Sequence, residues 1–200
     1  MFNLLRQAFK VATNHPDMAL FRAIDQNDLD AVKKAFAAGA NPDSEKYYFN
    51  LGIGAFFPST PLAHALVGDK TSLKIITEIL SHKPDTTKPD IVGGTVGHAC
   101  LESACMQFPK FRLLLESGLF KPELRQLKIA LTYGTAAGCQ DVAEFFFNHS
   151  DATRQALREE GEWAATMTAN QGKYPDIAKR VYQKMWELSN PHTPSPKPPS

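Results

Sequence analysis

Cysteine is scarce in this chain: three in 200 residues, Cys100, Cys105 and Cys139. That number cannot form a complete set of internal disulfides, which argues against a stapled secreted scaffold and fits a reducing compartment. A surplus of one charge is also missing. Lysine and arginine number 22 against 21 aspartates and glutamates, a formal net charge of +1, so no whole-molecule field draws in nucleic acid or an anionic membrane. No apolar run approaches the length of a membrane span, and Met1 to Lys10 lacks the ordered basic, long apolar and small-residue regions of a signal peptide. These absences lead us to expect a cytoplasmic monomer with no nucleic-acid and no membrane partner, although export by a route that reads no cleaved leader stays compatible. Gly-x-Ser-x-Gly elbows, zinc-protease helix motifs and dinucleotide fingerprints are absent, and no lysine follows Gly93-Gly94 in phosphate-loop order. No cofactor and no metal are expected.

What is present is apolar residues at helical spacing; 43% of the chain is hydrophobic, enough for one domain or a short solenoid. The organising stretch is Thr60-Pro61-Leu62-Ala63-His64-Ala65. Thr60 suits a helix cap, and Pro61 suits the first helical position, where its missing N–H costs nothing. Leu62, Ala65 and Leu66 make one short stripe, and Leu73, Ile76, Ile79 and Leu80 make a second. Two short antiparallel helices follow from this spacing. Such a pair cannot bury its own apolar faces and needs similar neighbours.

Similar neighbours recur along the chain. Leu20 to Asp43 has the same two stripes, with Leu20, Ala23, Ile24, Leu29, Val32, Ala35 and Phe36 predicted inward, and closes on Gly39. Thr95-Val96-Gly97-His98-Ala99 opens a third unit that closes through Phe111 to Gly118. A fourth runs through Ala130-Leu131, turns at Gly138 and continues from Asp141 to Ser150. A fifth contains Trp163-Ala164-Ala165, turns near Gly172 and continues from Asp176 to Tyr182. These copies resemble the ankyrin repeat, whose pattern runs T-P-L-H-x-A, then a turn, then a Val/Leu-rich second helix ending in G-A-x-x-N/D. Matched positions at Gly97, Leu131 and Ala165 follow one another at about one ankyrin period, roughly 33 residues. Leu20 to Leu62 is longer, and the excess reads as an enlarged loop between Asp43 and Thr60.

The resemblance implies an all-α fold: an ankyrin-like helical solenoid of about five helix-turn-helix repeats with capping helices. Residues 1–16 are expected as an N-terminal capping helix, 17–188 as the repeat domain and 189–200 as a disordered, proline-rich tail. Asp151 to Gly161 is charged and reads as a solvated helical connection. The resemblance further implies a non-catalytic module that binds a partner protein, not identified by the sequence, through a concave face and loop fingers. Stand-alone degenerate ankyrin proteins also occur as host-directed effectors of intracellular bacteria, a second reading by family type alone.

The enlarged loop, Ser44 to Ser59, carries Tyr47, Tyr48, Phe49, Phe56 and Phe57. Surface loops seldom hold so much aromatic area unless it folds back on the body or meets a partner. Those five residues, with Asp25 and Gln26 at the turn of the first repeat, are the expected partner-binding set; packing of the finger against the first helices is the alternative. A third reading, an enzyme, would centre on His98, Cys100 and Cys105. It lacks the short Cys-x-x-Cys-type spacing of a zinc site, and the resemblance gives His98 a structural role in its turn.

Overall fold

The computed structural model describes residues 15–50, 55–88 and 107–190, with side chains for all of them except 49–50 and 55–57. These residues form nine helices and one two-stranded hairpin, so the fold is mostly helical. They divide into two compact units. One holds the described residues up to 88 together with Arg112–Phe120; the other holds 107–111 and the described residues from 121 onward. The expected capping helix at the N-terminus, the opening of the third repeat at Thr95–Ala99, His98, Cys100, Cys105 and the tail after Asn190 lie outside the described residues.

In the first unit, α1 (Pro16–Asp25) and α2 (Leu29–Ala37) form one pair. Asp28 begins α2 by accepting the Ala31 N–H at 3.0 Å, which satisfies one of the amides that a helix start leaves bare. Leu20, Ala23, Ile24, Val32, Ala35 and Phe36 are buried as the spacing predicts, Leu29 is half-buried, and Phe21 joins the core at 1% exposure. The second pair is α3 (Pro61–Val67) and α4 (Leu73–Ser81). Thr60 accepts the Ala63 N–H at 3.2 Å, with Pro61 at the first position. In α4 the buried stripe is Ile75, Ile76, Ile79 and Leu80. It is centred on Ile76 and Ile79, so Leu73, expected inward, lies at its edge and is 41% exposed.

Within this unit α1 packs on α3 and α2 on α4, first helix on first and second on second. Polar ties cross between the pairs at their loops. The Ser72 N–H donates to Asn27 Oδ1 at 2.8 Å, and the Asp85 N–H donates to Asp43 Oδ1 at 2.7 Å.

The second unit repeats the scheme with α6 (Leu124–Ala136), α7 (Val142–Asn148), α8 (Asp151–Asn170) and α9 (Pro175–Ser189). Here α6 packs on α8 and α7 on α9. The first turn of α5 (Phe108–Glu116) adds Phe108, whose ring lies 5.7 Å from Phe145 and 6.1 Å from Phe146. Asp151 to Gly161 is not a solvated connection. It is the front of the 20-residue α8, opened by reciprocal bonds between Ser150 and Thr153, and it buries Thr153, Ala156, Leu157 and Gly161. Its inward stripe holds a single large apolar residue, which is why the charged side dominates the sequence.

Left-handed backbone stops recur. Asn27 (φ 53°), Gly138 (86°) and Gly172 (66°) turn the chain inside a pair, whereas Gly39 (90°) and Lys83 (53°) follow a second helix and Gly118 (69°) follows α5. Lys83 holds with a side chain the conformation that glycine adopts without steric cost. Lys83→Gly should therefore stabilise the protein by about 0.5–1 kcal/mol, and Gly39→Ala, where an added Cβ meets nothing within 4 Å, should cost about 1 kcal/mol. Urea unfolding of the two variants measures both signs.

Candidate functional site

The enlarged loop is a β-hairpin. Aromatic-rich strands β1 (Lys46–Asn50) and β2 (Ala55–Ser59) pair antiparallel, with Tyr48 opposite Phe57 and Phe49 opposite Phe56. Successive side chains on a strand point to opposite faces, and this splits the two tyrosines. Tyr47 is 61% exposed, its hydroxyl donating to Glu45 Oε2 at 3.3 Å. Tyr48 turns inward and stacks on His64 of α3, centroids 5.1 Å apart and planes 15° apart.

A two-stranded hairpin is marginal alone and needs something to pack on. Five residues from three elements supply the anchor. His64 Nε2 donates to Asp25 Oδ1 at the end of α1, 2.5 Å away, and the Tyr48 hydroxyl lies 3.4 Å from the same nitrogen. The Phe21 ring meets the imidazole edge-on at 5.7 Å. Lys46 Nζ stands 3.7 Å from Asp25 Oδ2, 4.8 Å over the Tyr48 ring and 5.5 Å over that of Phe21. The Asp25 side chain is 48% exposed and that of His64 17%. Water weakens the charge attraction, so ring packing carries most of the hold.

Burial, and then the negative charge of Asp25, push the Tyr48 hydroxyl well above its ordinary 10.0. It stays protonated through the physiological range. His64 has its Nε2 engaged by Asp25 and ring contacts with Tyr48 and Phe21, an arrangement that fixes the side chain's position.

Of the expected partner-binding residues, Asp25 and Tyr48 thus belong to the anchor and Tyr47 faces solvent. Gln26 is exposed just past α1, its N–H donating to Arg22 O at 3.0 Å. Phe49, Phe56 and Phe57 have their backbones in the hairpin, and their side chains are outside the described set. Sequence reasoning missed Lys46 and His64. It also missed two other exposed aromatics, Trp163 on α8 at 56% and Tyr133 on α6 at 43%. His64 stands one position after the fourth residue of its motif, where Ala63 occupies the place the ankyrin pattern gives to histidine; that displacement was a readable signal.

Among the described residues no group of three His, Cys, Asp or Glu side chains is placed to hold a metal ion. The half-buried Cys139 thiol is pushed up, by burial first and by Asp141 second, toward its unreactive protonated form. No helix among the described residues is long and apolar enough to cross a membrane. No model of a known protein family matches the chain, and no significant match to a protein of curated function is found.

Two outcomes follow from the anchor. Because the folded state keeps Tyr48 protonated while the unfolded chain ionises it near its ordinary value, stability is present below about pH 10 and is lost as pH rises above it. Urea midpoints at about pH 7 and pH 11 should therefore fall further apart in wild type than in Tyr48→Phe. A double-mutant cycle of Asp25→Ala and His64→Ala should return a coupling of about 0.5–1 kcal/mol by the same denaturation measurement.

Proposed function

We propose that the chain is a divergent ankyrin-like solenoid working as a non-catalytic protein-binding module, with the hairpin finger as part of its contact surface. The serial packing of first helix on first and second on second, in each unit, supports the solenoid reading. So does the recurrence of left-handed stops. The observation that carries the binding reading is Tyr47, an aromatic left 61% exposed on a strand whose next residue is locked to the body. Tyrosine on a pre-positioned support buries much area at little entropic cost, the usual character of an interface anchor. Within the second unit, the exposed Tyr133 on α6 and Trp163 on α8 are separate candidate contact residues.

A photoreactive amino acid at position 47 should give discrete cross-linked adducts with a cellular protein, and the same probe at exposed Arg125 should not. Tyr47→Ala should weaken capture of that protein about tenfold with an unchanged melting curve. Equal capture by Tyr47→Ala would refute the finger as a binding element.

A further inference from the structure

The register of the hairpin decides which of its backbone groups are left over. In an antiparallel ladder, facing residues either exchange two N–H···O bonds or lie between such pairs with their own backbone groups pointing outward. Tyr47 faces Pro58, and proline has no N–H to exchange. Tyr47–Pro58 is therefore an open pair. The exchanging pairs are Lys46 with Ser59 and Tyr48 with Phe57, and by alternation Phe49 with Phe56 is open again. The N–H and C=O groups of Tyr47 and Phe49 thus point away from β2, along the outer edge of β1. Among the described residues they make no other backbone bond. The β2 edge is poorer, because Pro58 offers it a carbonyl alone.

We infer that the partner of the finger contributes an extended peptide segment, which adds to the outer edge of β1 as a third strand. This deepens the binding reading above and rests on it. Two donors and two acceptors at alternate residues of one strand are matched in full by another extended backbone. The exposed Tyr47 stands in the same stretch, so its ring meets side chains of the added strand while its backbone holds that strand. β1 has five residues, and the segment needs about as many to use the whole edge. A bare strand also fits the space. Neighbouring strands lie about 4.8 Å apart, whereas packed helices need about 8–10 Å. Antiparallel pairing with β1 of a second copy would keep both inner faces on one side of the sheet, and would press the α1–α3 layer under that hairpin into the layer under this one.

Peptides selected from a random-peptide display library against the full chain supply the probe. In NMR hydrogen exchange, a selected peptide should slow the Tyr47 and Phe49 amides by about tenfold or more, and should change little at the Tyr48 amide, which is already bonded to Phe57. Replacing Tyr47 by its α-hydroxy acid swaps the outward N–H for an ester oxygen and keeps the ring. With folding verified by circular dichroism, that change should weaken the peptide about three- to tenfold. Tyr47→Ala keeps the backbone and tests the side-chain contact separately. Loss of binding with Tyr47→Ala but not with the ester would overturn strand addition and leave the finger as a side-chain contact. Loss with neither would overturn both readings. A library that yields no peptide protecting the two amides would also overturn the inference. So would a dimer that protects them without any peptide, since a second copy would then be the occupant.

Discussion

The governing constraint is that most of the helices are too short to stand alone. α3 and α7 have seven residues each, α2 and α4 nine, well under the roughly 12–15 at which an isolated helix becomes even marginal in water. Each persists because its apolar stripe is covered, and a hairpin of two covers only one side of each member. Stacking pair on pair is therefore a condition for these short helices existing at all. The caps at Thr60, Asp28 and Ser150 set where each helix starts; tertiary burial of Ile76, Ile79, Leu131 and Phe146, each fully or almost fully enclosed, supplies the stability.

Apolar burial alone does not fix how far one pair slides along the next. Directional bonds do that. The Asn27 and Asp43 carboxamide and carboxylate oxygens each take a backbone N–H from the following pair, and each such bond forms in one position only. The His64–Asp25 contact adds a third link between the same two pairs and doubles as the floor under the hairpin. One histidine thus joins helix stacking to finger placement.

Much of this was legible in the residues. The helix starts at Thr60-Pro61, the turns at Gly39, Gly138 and Gly172, and the inward set from Leu20 to Phe36 follow from spacing and backbone preference. The strands were not legible, because Tyr-Tyr-Phe and Ala-Phe-Phe between Ser44 and Ser59 are short, lack polar alternation and sit between helices. The front of α8 was missed for a related reason: Thr153, Ala156 and Gly161 are small, and packing against them leaves a weak hydrophobic signal. In the site, exposure of Tyr47 and burial of Tyr48 could not be separated until the strand direction was known. His64 draws its role from Asp25, which is distant in sequence and close only once α1 and α3 lie side by side.

The division of labour between neighbouring tyrosines separates what can be changed from what cannot. Residue 47 points into solvent, where many side chains would fit, while residue 48 is confined by the His64 ring and Lys46. A change of side chain at position 47 therefore leaves the stacking of Tyr48 on His64 beneath the hairpin in place.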